Sequence, residues 1–197
     1  PVIAGAPIDT LFANLTLPED RAHSRTRLEL RGRKADEVTA GLQRWLGTLS
    51  ASDPMIERHQ LEGLWVSWGL DRVDVALLNK LLVAKDHRVR AAAVRVLRYN
   101  TAKVADHKAL LLRAAGDAHG RVRLEAVNAA SWLGKDVALE VLAAARQHPV
   151  DEWLKPVFAA AEAYQNGGSI VAEEAPKAVT SLKGEEKKLF DLGAEVY

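Results

Sequence analysis

The sequence predicts an all-α protein, a right-handed α-solenoid of about five helical hairpins. Residues 81–94 carry an apolar run, an Asp, a short break and a Val-Arg pair that opens a second apolar run. This pattern returns loosely at residues 112–127. In both stretches the apolar residues follow a helical period, without the alternation that is typical of strands. An internal repeat of this length indicates stacked hairpins that share one continuous core.

Bulk composition limits the possible function classes. The chain has 197 residues, 48% of them hydrophobic, which is enough for several repeats. Its 27 Lys and Arg residues nearly balance 26 Asp and Glu, so a net charge of +1 gives no reason to expect tight nucleic-acid binding. The absence of Cys excludes disulfides, thiolate metal sites, a cysteine nucleophile and thioether haem attachment. The first residue is Pro1 rather than Met, which favours a processed product or an excised piece.

The first two hairpins are predicted with less regular spacing than the others. A short apolar helix precedes Pro18, and a basic helix follows it through Leu28 and Leu30. The next amphipathic helix ends before Ser52-Asp53-Pro54, which we expect to cap the fourth helix. The apolar faces of these helices are predicted from Ile8, Leu11, Phe12 and Leu15, then Val38, Leu42, Trp45, Leu46 and Leu49, then Ile56, Leu61, Leu64, Trp65 and Trp68.

The remaining three hairpins and the tail follow in order. Pro149 marks the turn of the last hairpin, so the repeat domain is predicted to cover residues 7–165. We expect residues 166–182 to be a linker or strap and residues 183–197 an amphipathic helix. The apolar faces are predicted from Leu77, Leu78, Leu81, Leu82, Val89, Ala93, Val96 and Leu97, then Leu110, Leu111, Ala114, Ala115, Val122, Ala126, Ala129, Ala130 and Leu133, then Val137, Val141, Leu142, Trp153, Leu154, Val157, Phe158, Ala161 and Tyr164.

Arginines at the start of the second helices are candidate partner-binding residues. Stacked repeats place equivalent positions side by side, so Arg88 and Arg121 could present a basic ladder to an acidic partner. Arg90 and Arg123 are expected instead to pair with Asp86 and Asp117 and to tie turns together. A denser basic run precedes residue 35, where interspersed acids favour a solvated helix face over an anionic partner. That run consists of Arg21, Arg25, Arg27, Arg31, Arg33 and Lys34.

Five tryptophans recur at or near repeat positions, and most are expected to fill helix interfaces. Trp68, next to Gly69, is the one expected to be exposed and able to bind a partner. The six histidines never fall at the i, i+4 spacing of helical metal pairs, so no metal site is predicted. No nucleophile elbow and no phosphate-binding loop occurs, so we expect no catalysis and no cofactor in this chain.

The repeats at Leu81–Leu97 and Leu112–Leu133 resemble HEAT-like repeats of the kind found in phycobilisome lyases. A closer likeness is carried by Trp45-Leu46, by the string Glu57–Val66 and by the Arg-Val-Arg strings that begin at Arg88 and Arg121. These strings resemble the helical-repeat region of large exported dehydrogenase-like proteins of planctomycetes and verrucomicrobia. In those proteins the repeats lie between a dehydrogenase-like propeller and a c-type cytochrome domain. The end of this chain, Phe190–Tyr197, resembles the first helix of that cytochrome domain.

The resemblance implies a non-catalytic scaffold of a periplasmic or otherwise exported redox protein, with dehydrogenase-like and c-type cytochrome partners and without a haem motif of its own. First helices would form the convex face, and second helices the concave docking face. We expect Arg88, Arg121, Trp68 and His59 to lie near that concave face. The alternative is a nucleic-acid-binding HEAT-like protein with a basic concave face. A third, enzymatic possibility is a chromophore lyase-like activity, but the sequence contains no recognisable site for it.

Overall fold

The computed structural model describes residues 1–167. Most of the predicted linker 166–182 and all of the predicted helix 183–197 lie outside the described part. Within residues 1–167 the chain forms ten α-helices, one short 3-10 helix and no strand, which confirms the α-solenoid of five hairpins. The helices are α1 Ile8–Asn14, α2 Asp20–Arg31, α3 Ala35–Thr48, α4 Ile56–Gly69, α5 Val75–Leu81, α6 His87–Arg98, α7 His107–Ala115, α8 Gly120–Ala130, α9 Lys135–Ala145 and α10 Leu154–Gln165. The 3-10 helix Thr101–Lys103 lies between α6 and α7. No helix of residues 1–167 has the length and apolar character needed to cross a membrane.

The second helices of the hairpins form one continuous row, in which α2, α4, α6, α8 and α10 each contact the next. The row of first helices is less continuous, because contacts between α3 and α5 and between α5 and α7 are sparse. In a curved stack the more closely packed row lies on the inside of the curve. This packing supports the prediction that the second helices form the concave face.

The apolar core consists of two clusters that meet at α4. One cluster holds the large side chains of the first two hairpins, with Phe12 stacked on Trp45 at a ring-centroid distance of 5.4 Å. The other cluster runs from Leu61 to Ala161 and is rich in alanine, which allows close approach of neighbouring helices. Two sequence expectations were wrong here, since Trp153 is 80% exposed just before α10 and Tyr164 is 50% exposed.

The fourth helix begins later than the sequence predicts. The carboxylate of Asp53 accepts a hydrogen bond from the backbone N–H of Met55 at 2.8 Å, and a turn over residues 54–55 follows before α4 starts at Ile56. Asp53 therefore closes a turn rather than capping the helix directly. By contrast, Asp74 and Asp86 cap α5 and α6 through hydrogen bonds from the backbone N–H groups of Leu77 and Arg88.

Three residues spaced 33 apart in the sequence, Glu57, Arg90 and Arg123, bind groups of neighbouring turns and so join successive turns of the solenoid. Glu57 accepts hydrogen bonds from the backbone N–H groups of Lys85 and Asp86 at 2.8 and 3.0 Å. The guanidinium of Arg90 donates to the carbonyls of Ala84 and Lys85 in its own turn and to the carboxylate of Asp117 in the next.

Arg123 repeats the pattern of Arg90 through backbone carbonyls alone. It donates to the carbonyls of Asp117 and Ala118 and to that of Pro149 in the next turn. These two arginines do tie turns together, but their predicted partners were wrong. The carboxylate of Asp86 binds Arg88 instead, and Arg123 reaches the backbone of Asp117 rather than its carboxylate. An arginine and an aspartate that lie close together in the sequence do not reveal which neighbouring turn the long arginine side chain reaches.

Candidate docking groove

A groove of about 840 Å³ crosses the second-helix row from α4 to α8. Met55, Leu61 and Trp65 line it from the α4 side, and Arg121 lines it at the start of α8. A second depression of about 770 Å³ lies between α2 and α4, and it shares Trp65 and Trp68 with the groove. The two tryptophans therefore form a ridge between two concave surfaces on the same face.

Aromatic side chains recur near the C-terminal end of four second helices. They are Trp68, Tyr99, Trp132 and Tyr164. Trp68 stacks on Tyr99 with a centroid distance of 5.5 Å and an interplanar angle of 21°, whereas Trp132 and Tyr164 are tilted at 5.8 Å. Trp132 is 69% exposed, so the expectation that it fills a helix interface was wrong.

The carboxylates that line the groove are all engaged by protein groups. Glu57 binds two backbone N–H groups of the following turn. Asp86 accepts from the guanidinium and backbone N–H of Arg88, and these hydrogen bonds, led by the guanidinium, lower the pKa of Asp86. Glu125 has a side chain only 4% exposed and is bound by Arg95.

The arginines of the groove are less fully engaged than the carboxylates. The guanidinium of Arg121 makes no hydrogen bond or ion pair with residues 1–167, and Arg121 is exposed. Arg88 is paired with Asp86, but its side chain is 75% exposed, and such ion pairs are weak in water. Four arginines and three carboxylates line the groove, so its net formal charge is positive by one.

Three of the four predicted partner-binding residues come together in this groove: Trp68, Arg88 and Arg121. Trp68 is half-buried, so the expectation that it is exposed was wrong. His59 does not join them. Its side chain is 11% exposed, and its Nδ1 lies 3.3 Å from the carboxylate of Asp53. Consecutive helical residues differ by about 100° in direction, so His59 faces a different side of α4 from the groove residues Glu57 and Arg58.

Sequence reasoning missed Trp65 and Tyr99 as groove residues. Trp65 was expected to be core, but it is half-buried and the guanidinium of Arg27 lies 4.9 Å from its ring centroid. Tyr99 is 61% exposed, with Arg98 at 4.6 Å from its ring centroid. The aromatic recurrence across second helices was the available signal, because equivalent positions in stacked repeats become neighbours.

The N-terminal basic run divides between ion pairs and solvent. Arg27 binds the fully buried Glu62, Arg33 binds Glu29 at 2.6 Å, and Lys34 pairs with Glu37. Arg21, Arg25 and Arg31 are exposed, and Arg31 lines the second depression. This division favours the predicted solvated face over a continuous anion-binding surface.

A smaller depression of about 570 Å³ lies beyond the groove, between α6, α8 and α10. There the rings of His87 and His119 stack with centroids 3.5 Å apart. Burial, followed by the nearby His119, lowers the pKa of His87, so a proton on this ring is disfavoured. Among residues 1–167, no three His, Cys, Asp or Glu side chains come close enough together to hold a metal ion.

Residues 73–163, which cover α5 to α9 and nearly all of α10, match the family model of HEAT repeats. This match supports a HEAT-like repeat region in this part of the chain. No curated protein and no solved structure matches the chain. HEAT repeats form helical scaffolds for protein interaction, and stacked repeats of this type present extended concave binding surfaces.

Proposed function

We propose that the chain is a non-catalytic docking module that holds a protein partner on its second-helix face. The observation that carries this proposal is the groove, which crosses three successive second helices and joins the exposed Tyr99 and two half-buried tryptophans to incompletely engaged arginines. Its carboxylates are already bound by guanidinium or backbone N–H groups within the described residues, so they are poorly placed to act as a general acid or base.

We further propose that the partners are domains or subunits of an exported redox protein, a dehydrogenase-like propeller and a c-type cytochrome. This proposal rests on the resemblance of the α3, α4, α6 and α8 strings to the repeat region of such proteins. In that arrangement the solenoid keeps the two redox domains at a fixed separation. Export follows from the same resemblance.

Site-specific photocross-linking tests this function. A photoreactive amino acid at Met55, 50% exposed beside the groove, should cross-link the full chain to a protein that mass spectrometry identifies as containing a propeller or c-type cytochrome domain. The same group at Leu139, 48% exposed on the first helix α9, is the matched control and should not. Equal cross-linking from both positions, or a partner without redox domains, would contradict the proposal.

Nucleic-acid binding is the second candidate, favoured by the arginines and stacked aromatics on one face. Three carboxylates among the groove residues oppose it, because they repel a polyanion. Fluorescence anisotropy with a labelled single-stranded oligonucleotide at about 150 mM salt decides the matter. Binding that falls steeply as salt rises would replace the docking proposal with this one.

A further inference from the structure

We propose that the groove and the second depression together bind an extended peptide segment with acidic residues at both ends and apolar or aromatic residues between them. This inference rests on the proposed docking function and names the chemistry of the partner. It goes beyond that function because it predicts recognition of a short linear segment rather than of a folded surface.

The first argument is the placement of charge. Arg121 lies at one end of the groove, beside the solvated guanidinium of Arg88. At the far side of the tryptophan ridge, Arg31 lines the second depression and makes no hydrogen bond or ion pair with any of residues 1–167. Cations that lack protein carboxylates therefore stand at the two ends of one continuous surface, where a ligand carboxylate can take their place as partner.

The second argument is the apolar middle. Trp65 and Trp68 form the ridge, and Tyr99 continues it through its stack on Trp68. Tyr99 is exposed and the two tryptophans are half-buried, so the accessible parts of these rings provide rigid contact area for apolar, proline or aromatic side chains. Met55 adds a flexible apolar contact at the rim.

The third argument is length. Packed helices lie about 8–10 Å apart, so the three steps from α2 to α8 span roughly 24–30 Å. Arg31 ends α2 and Arg121 lies at the start of α8, so an offset of roughly 15 Å along the helix axes, at about 1.5 Å per residue, brings their separation to about 28–34 Å. An extended chain advances about 3.3 Å per residue, so about nine to ten residues reach from Arg31 to Arg121. A segment of this length fits both terminal charges at once.

A peptide fits the charge pattern better than a nucleic acid does. The groove lining has a net charge of only one, and Glu57, Asp86 and Glu125 lie between its arginines. Asp71, at the edge of the second depression, is paired with Lys103. A polyanion would place phosphates against these carboxylates at every step, whereas a peptide with terminal acids places none in the middle.

The test uses fluorescence anisotropy of a labelled nine-residue peptide, DEPLFPLDE, with the full chain at about 150 mM salt. Saturable binding is expected, and the analogue with lysine at its four acidic positions should not bind. Arg121→Glu and Arg31→Glu should each weaken binding by about tenfold, since each turns an attraction into a repulsion. The matched control Lys80→Glu, an exposed charge on the first helix α5, should change binding by less than about twofold.

Equal binding of the acidic and lysine peptides would overturn the inference, and so would equal losses in the Arg121→Glu and Lys80→Glu variants. Tighter binding of a single-stranded oligonucleotide than of the peptide would also overturn it. Circular dichroism of each variant excludes loss of fold as the cause. Failure of peptide binding together with groove-specific cross-linking of a folded partner would reject this inference alone and leave the docking function in place.

Discussion

The first two hairpins and the last three share one architecture but are fastened differently. In α1–α4 the second helices α2 and α4 are joined by an ionic cluster around the buried Glu62. Large side chains pack between these four helices, and glycines allow them to approach closely. In α5–α10 the turns are tied by Arg90, through the carboxylate of Asp117, and by Arg123, through the carbonyl of Pro149, and alanines allow close packing. The family model matches only residues 73–163. The first two hairpins therefore stack in the same way as the last three, although different residues hold their turns together.

The ionic cluster at Glu62 illustrates the N-terminal solution. The carboxylate of Glu62 is bound by Arg27, lies 3.2 Å from Nδ1 of His23, and lies 3.8 Å from Nε of Arg58. In the C-terminal region, Glu125 binds Arg95 in the same relation between α6 and α8, and it lies 3.8 Å from Nη1 of Arg98. Both carboxylates connect one second helix to the preceding one, but only Glu62 gathers three cationic or titratable groups.

The largest effect is expected from Glu62→Gln, which leaves the buried His23 and the partly buried Arg27 without the charge of this carboxylate. The free energy of unfolding should fall by about 3 kcal/mol. Urea denaturation measures it, with Glu37→Gln as control, because the Glu37–Lys34 pair is 57% and 84% exposed and should contribute below about 0.5 kcal/mol. A loss for Glu62→Gln no larger than that of the control would remove the distinction between the two regions.

Arg90→Gln should weaken the C-terminal region by about 2 kcal/mol, because it removes a two-pronged ion pair and two hydrogen bonds to carbonyls. Urea denaturation at neutral pH measures this loss. Arg88→Gln is the control, since its ion pair stays within one turn and is largely exposed, so a loss below about 0.5 kcal/mol is expected. Equal losses in the two variants would contradict the role of Arg90 as a fastener between turns.

The same variant has a defined pH dependence. Burial raises the pKa of Asp117, but hydrogen bonds from Arg90 and the His119 backbone outweigh it and hold the pKa below the ordinary 3.8. A lowered folded-state pKa stabilises the protein above pH 3.8, and this stabilisation is lost as pH falls through the folded value. The difference between Arg90→Gln and the parent chain should therefore shrink, without vanishing, in urea titrations below pH 3.8.

Gly41→Ala should destabilise the N-terminal region by about 1.5 kcal/mol. A Cβ at Gly41 would lie 2.6 Å from Cγ2 of Ile8 and 3.0 Å from Cε2 of Phe12, so α1 and α3 would be forced apart. Gly47→Ala on the same helix meets nothing within 4 Å and should stabilise by about 0.5–1 kcal/mol. Thermal unfolding of both variants should show shifts of opposite sign, and shifts of the same sign would contradict close packing at Gly41.

The smallest effect is expected from Asp74→Ala at the boundary between the regions, a loss of about 1 kcal/mol. The carboxylate of Asp74 accepts from the backbone N–H of Leu77 at 2.9 Å and caps α5. Asp106 precedes α7 without a capping hydrogen bond, so Asp106→Ala should cost less than about 0.5 kcal/mol. Urea denaturation of the pair checks the assignment, and equal losses would contradict it.

The fold could be predicted from sequence because helical periodicity is a local property, and Leu78, Leu97 and Leu111 are fully buried as expected. The groove was predicted in part, since Arg88 and Arg121 occupy equivalent repeat positions. Trp132 and Trp153 were misassigned because both lie just outside their helices, where helical periodicity no longer predicts which way a side chain points. The partner of Arg90 depended on which neighbouring turn a long side chain reaches, and periodicity carries no information on that choice.

The two apolar clusters meet mainly at α4, which supplies Leu61 and Leu64 to one and Val66 to the other, and Leu46 of α3 packs against both. Unfolding of either end of the stack therefore removes the packing partners from one side of α4. The apolar surface exposed there is not covered by the end that remains folded. We therefore expect α4 to couple the two ends of the stack, so that the five hairpins unfold cooperatively despite their two kinds of fastening.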